Sequence, residues 1–185
     1  MANPRTPREA WIAEGLRALA AGGPDAVRVE VLAQSLGVTK GGFYGYFRNR
    51  DGLLAEMLDT WEHAVAGDVI DGIERDGGDA RAKLTRLHAI ASAPGDPLTD
   101  ISTELAVRDW ARRDDAVAER LRRIDNRRMA YMRTLYREFC PDEAEVEMRC
   151  FITLSLRIGR HFIAADEGPR SREEVSALTR AWLLS

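Results

Sequence analysis

An all-α fold is what this sequence predicts, and three features carry that reading. Apolar residues recur at helical spacing along nearly the whole chain, no stretch alternates long enough to be a strand, and Gly or Gly-Pro pairs interrupt the periodic stretches. Thr6-Pro7-Arg8-Glu9 opens the first helix, with Thr6 placed to cap it, Pro7 at the first helical position and Glu9 completing a capping box. The stripe Trp11, Ile12, Gly15/Leu16, Leu19 follows and ends at Gly22-Gly23. Two short helices, about 29–36 and 39–46, are broken at Gly37. A long helix over about 50–74 carries Leu54, Met57, Leu58, Trp61, Val65, Val69 and Ile73, and Gly77-Gly78 terminates it. Next come a helix near 79–92, the loop Ala93-Pro94-Gly95-Asp96-Pro97 and a helix near 99–112 that contains Trp110. An arginine-rich helix over about 115–139 precedes Cys140-Pro141-Asp142. Helices near 142–165 and 172–184 complete a set of about nine, the last entered by a second capping box, Ser171-Arg172-Glu173-Glu174.

Composition narrows the class. A chain of 185 residues, 45% apolar, has enough material for one domain or two small lobes, and a mixed-sign charged fraction of 31% excludes a disordered polyelectrolyte. Two cysteines, Cys140 and Cys150, exclude a disulfide-stapled scaffold. No apolar run is long enough to span a bilayer, and Met1-Ala2-Asn3-Pro4-Arg5 lacks the apolar core of a signal peptide. The expected compartment is the cytoplasm, with no membrane partner. Residues 1–50 carry seven Lys/Arg against four Asp/Glu, whereas residues 51–185 carry 20 against 26. A basic head on an acidic body fits a nucleic-acid-binding module joined to a non-binding domain.

Residues 29–48 have the pattern of a helix-turn-helix. Ala33 is the small residue where two helices cross, Gly37 supplies the turn and Phe43 packs the second helix, with Leu32, Leu36, Val38 and Tyr46 as the other inward positions. Thr39 would cap the second helix, whose outward face is Lys40, Gly41, Gly42 and Tyr44.

Residues 28–54, and above all Gly41-x-Phe43-Tyr44-x-x-Phe47 followed by Arg50 and Leu53-Leu54, resemble the signature of TetR-family transcriptional regulators. That resemblance implies a three-helix head with a helix-turn-helix over residues 1–50. It implies a helical body over residues 51–185 that dimerises and binds an effector. The implied function is that of a homodimeric repressor on double-stranded operator DNA, released by a small apolar or aromatic effector, with no cofactor and no metal.

On this resemblance Lys40 points into the major groove, where it can donate to guanine O6 or N7. Thr39 caps the helix or touches a phosphate, and Gly41 and Gly42 let the backbone approach DNA. Tyr44 matches the family tyrosine that reaches a phosphate, while Tyr46 either lies near DNA or packs inward. Arg50 and, more weakly, Arg48 stand where phosphate contacts are made. Arg28 replaces the threonine often found at the start of the second helix. Arg5 and Arg8 form a short basic arm. Phe43 and Phe47 belong to the head's core.

The candidate effector lining is Met57, Trp61, His88, Trp110, Met129 and Met132, a set that ordinary core packing would equally produce. Arg128 falls on the apolar stripe of its helix, so it pairs with a carboxylate or meets an anionic ligand. Phe151, Leu154, Ile158 and Phe162, then Val175, Leu178 and Trp182, form stripes that a twofold bundle with a second copy would cover. Arg157, Arg160 and His161 could pair there with Glu173 or Glu174. A thiol-based redox switch at Cys140 or Cys150 is the alternative mode. An enzyme is disfavoured: His63, His88 and His161 lack metal-ligand spacing, and no phosphate loop, nucleophile elbow or other catalytic residue appears.

Overall fold

The computed structural model describes residues 6–90 and 96–185. Arg5 and the Ala93-Pro94-Gly95 part of the expected loop lie outside the described residues. The described residues form helices and no strand: α1 (Arg8–Gly22), α2 (Val29–Ser35), α3 (Lys40–Phe43), α4 (Arg50–His63), α5 (Val69–Asp76), α6 (Ala80–Ile90), α7 (Ile101–Ala111), α8 (Asp115–Arg137), α9 (Glu143–Gly159) and α10 (Arg172–Leu183). A short 3-10 turn, Pro24–Ala26, precedes α2. A π-turn, Ala64–Asp68, joins α4 to α5 without a break, so with that run counted once the described residues form nine helices.

Local chemistry explains where the helices start. Asn49, Asp100 and Asp142 cap α4, α7 and α9, accepting from the backbone N–H of Gly52, Ser102 and Ala144 at 2.9, 2.7 and 2.9 Å. The capping box at α10 forms as its sequence suggests: the N–H of Glu174 donates to Ser171 Oγ, and the N–H of Ser171 donates to Glu174 Oε2 at 2.8 Å. The box expected at α1 does not form. Pro7 rather than Thr6 occupies the cap position, and proline has no N–H for Glu9 to accept. The π-turn is the other departure, since the periodicity of 50–74 suggests a regular helix. Its i→i+5 spacing puts His63 beside Asp68, Nε2 to Oδ1 3.4 Å.

Packing divides the described chain into two compact units, one of residues 6–68 and 96–124, the other of residues 69–90 and 125–185. In the first unit α1 packs against both α4 and α7. Its core joins Trp11, Leu16, Leu19, Leu32, Phe43, Leu53, Met57 and Trp61 with Val107, Val117 and Ile124. The unit that holds the head is therefore larger than residues 1–50. Gly15 is the point of closest approach: a Cβ there would stand 2.6 Å from Met57 Sδ.

The second unit is built on Ala80, Leu84, Met132, Leu135, Tyr136, Cys140, Val146 and Cys150. Tyr136 and Thr153 share a buried hydroxyl–hydroxyl bond of 2.8 Å. The last carbonyls of α10 are met by two arginines. Buried Arg149 donates to Leu183 O and Glu145, with its guanidinium 5.6 Å from the Trp182 ring centre, and Arg81 Nε donates to Leu184 O at 2.7 Å.

Candidate nucleic-acid interface

Two helices and one glycine build the candidate interface. Gly37, at φ 66°, provides the left-handed residue between α2 and α3, and the N–H of Val38 donates to Ala33 O at 2.9 Å to close the turn. Phe43 anchors α3 from beneath, edge-on to Trp11 at 5.5 Å and stacked on Phe47 at 5.1 Å. Both phenylalanines are buried, as their pattern suggests. The α3 helix spans only Lys40–Phe43, shorter than the 39–46 suggested by the sequence. Two of its four residues are glycine, which weakens the helix.

The outer face carries Thr39, Lys40, Gly41 and Tyr44, all exposed, with Tyr44 at 56%. Thr39 holds the cap position by its backbone, yet its hydroxyl makes no capping bond, contrary to expectation. Packing among the described residues does not require glycine at 41 or 42. An added Cβ would meet only Thr39 Oγ1 at 3.7 Å or Trp11 Cζ2 at 3.8 Å, both ordinary contacts.

Glu30, on α2, is the residue that the sequence pattern did not single out. It pairs with the Lys40 ammonium, and this hydrogen bond holds the Glu30 carboxyl below its ordinary range while raising Lys40. The Tyr44 hydroxyl also favours the Lys40 charge, more weakly. The only advance signal was an acid ten positions before Lys40 on the preceding helix. Arg28 and Arg48 are exposed, and no hydrogen bond or ion pair engages either guanidinium among the described residues.

Two of the basic residues expected near the DNA backbone, Arg50 and Arg8, make contacts within the chain. Arg50 is half-buried; its Nε donates to Val27 O at 2.7 Å and its Nη2 to Pro24 O, so it ties the start of α4 to the turn before α2. Arg8 donates to Glu56 and stacks 5.2 Å over Phe47, which fixes it to α4 rather than leaving it as a free arm. Tyr46 takes the inward option and packs against the head's core.

The six residues of the expected effector lining do not form one set. Met57, Trp61 and Trp110 belong to the first unit's core, Met132 and Met129 to the second's. His88, half-buried on α6, faces a cavity in the second unit. Trp61 is 1% exposed, and its indole N–H has no acceptor among the described residues. Arg128 takes the carboxylate option, with Asp125 at 3.8 Å. Cys140 and Cys150 are both buried thiols, and burial pushes Cys150 up to about 11, which opposes thiolate chemistry. No cluster of His, Cys, Asp or Glu among the described residues could hold a metal.

The α9 and α10 stripes behave differently from a core. Phe151 is 68% exposed and Phe162 71%, with Val175, Leu178 and Trp182 also open, while Leu154 and Ile158 are half-buried. No helix among the described residues is long and apolar enough to cross a membrane.

Comparison with known proteins bears on the head directly. Residues 12–57 match the family described as bacterial regulatory proteins, tetR family. No curated protein matches the chain. Solved structures share the whole fold at low identity. One, from Pseudomonas aeruginosa PAO1 and assigned as a transcriptional regulator, is 18% identical, with a TM-score of 0.66 over 95% of this chain and 87% of its own. A TetR-family regulator from a Rhodococcus species is 21% identical, TM-score 0.56, over 96% and 94%. A transcriptional regulator from Cytophaga hutchinsonii ATCC 33406 is 14% identical, TM-score 0.58, over 95% of each chain. Residues 12–57 thus carry the tetR-family helix-turn-helix segment, and the chain as a whole shares the fold of these regulators.

Proposed function

We propose that this protein is a cytoplasmic homodimeric repressor that binds double-stranded operator DNA and is released by a small-molecule effector. The observation that carries the reading is the outer face of α3, where Thr39, Lys40, Gly41 and Tyr44 stand exposed within the family-matched segment. Lys40 reads a base edge, Thr39 and Tyr44 reach phosphates, and Gly41 and Gly42 admit the backbone. Arg28 and Arg48 add phosphate contacts, so affinity falls steeply with salt. Residues 1–50 act as the reading head and residues 51–185 as the dimerisation and effector-binding body.

Dimerisation is supported by the open apolar side chains of Phe151, Phe162, Val175, Leu178 and Trp182, which an isologous contact would cover. A dimer with its reading helices about 34 Å apart enters successive major grooves. An effector that binds one arrangement of the dimer better than the other shifts that spacing and frees the operator. Catalysis forms no part of the proposal, since the matched family and the similar structures are regulators.

The direct test is selection of random duplexes on the purified protein near physiological salt. Enrichment of a palindrome supports the dimeric reader, while a folded dimer that enriches nothing defeats it. Lys40→Ala and Tyr44→Phe are expected to weaken the selected duplex and leave sedimentation unchanged.

A further inference from the structure

The second unit contains a cavity of about 760 Å³, a size suited to a small organic molecule. Its walls come from α6, α9, α10 and the segment linking the last two. Leu156, Ile163 and Val175 supply apolar surface. The cations around it are not equivalent. Arg160 Nε donates to His161, and Arg172 donates to Ala165 O at 2.6 Å, so both are tied to the linking segment. Arg180 is half-buried, and no hydrogen bond or ion pair engages its guanidinium among the described residues. The acids that line the cavity, Asp166, Glu167 and Glu173, are all exposed. The sheltered part thus has a cation without a carboxylate.

We propose that this cavity binds an amphipathic monocarboxylate, its carboxylate on Arg180 and its apolar body along Leu156, Ile163 and Val175. A guanidinium taken partly out of water calls for an acceptor, and a carboxylate meets its planar fork with two parallel bonds. Arg157, Arg160 and Arg172 are engaged within the chain, and Arg170 stands exposed with Asp166, Glu167 and Glu173, which leaves Arg180 as the sheltered guanidinium for a single carboxylate. His88, from α6, faces the same space; burial, and then Arg180, push it down to about 4, so at neutral pH it is an uncharged partner rather than a second cation. On α9 the cavity is lined by Thr153, Leu156 and Arg157, whereas Phe151 lies on the opposite side of that helix, so filling the cavity leaves Phe151 open to a second copy, with Val175 at the border of the two surfaces.

The inference gives the effector a site and a chemical class, and rests on the proposed function only for its effect on DNA. The test is calorimetric titration of the full chain with decanoate, 4-phenylbutyrate and their neutral amides, repeated on Arg180→Gln. Each acid-binding event is expected to weaken about ten-fold or more on going to the amide or to the variant. NMR signals of His88 and Thr153 are expected to shift with the acid. The far-UV circular dichroism of the variant controls for folding. Absence of binding by both acids, equal binding of acid and amide, or an unaffected Arg180→Gln overturns the site. Binding with those dependences but no change in affinity for the selected duplex upholds the site and defeats effector release instead.

Discussion

Gly41 and Gly42 each have room for a Cβ, so packing among the described residues does not require glycine at either position. Gly41→Ala is therefore expected to raise the melting stability of the head by about 0.5–1 kcal/mol and to weaken duplex binding at the same time. Stability and affinity gained together would show that the backbone does not come close to DNA there. Glu30 gives a second expectation at this scale. On the proposed function, the carboxylate beside Lys40 opposes phosphates, so Glu30→Gln is expected to tighten binding to random duplex by about five-fold at low salt. Released from its partner, Lys40 should also steepen the salt dependence by about one unit of slope. Unchanged binding to random duplex in filter titrations would place Glu30 away from the nucleic acid. Arg8 and Arg50 show where sequence reading stops at the scale of single residues. Both are basic and lie in or next to the head, which is all that their identity conveys. Their partners, Glu56 and the Pro24 and Val27 carbonyls, are 48, 26 and 23 positions away, so only folding reveals that the charges are already engaged.

Elements were more legible than side-chain partners, because each helix announces itself by period and by its ends. Asn49, Asp100 and Asp142 cap helices that the apolar spacing had already located, and Ser171-Arg172-Glu173-Glu174 forms its box. The failures have local causes. Proline at the cap of α1 removes the donor that a box needs, and the two glycines of α3 leave it only one turn long. The π-turn at Ala64–Asp68 escaped notice because one inserted residue shifts the apolar period by only a fraction of a turn. The α9 and α10 stripes were visible as too apolar for a surface, and Phe151, Phe162, Val175, Leu178 and Trp182 remain open in the single chain. On the proposed function, the native protein is expected to give dimer by sedimentation equilibrium at micromolar concentration, and the Phe151→Asp variant monomer. Its helical signal should persist, since the side chain is exposed. A variant that stays dimeric removes this face from the interface.

For the molecule as a whole, acid sensitivity has an identifiable source. His88 titrates at about 4 when folded and at about 6.5 when unfolded, so between those values the unfolded chain binds the extra proton. Stability contributed by keeping this imidazole neutral is present above pH 6.5 and is lost as the pH falls toward 4, by at most about 3 kcal/mol. His88→Gln is expected to flatten the urea midpoint across that window, and an unchanged slope would assign the acid limb to other groups. The membership of the first core has a different consequence, for chain grafting. Trp11 and Phe43 share one buried cluster with Val107, Val117 and Ile124, residues that follow the head by more than fifty positions. Splicing residues 1–50 onto a foreign body would transplant half of an interlocking joint. A hybrid meant to keep this head folded must carry α7 and the first turns of α8 with it, or supply α1 with a surface of the same shape.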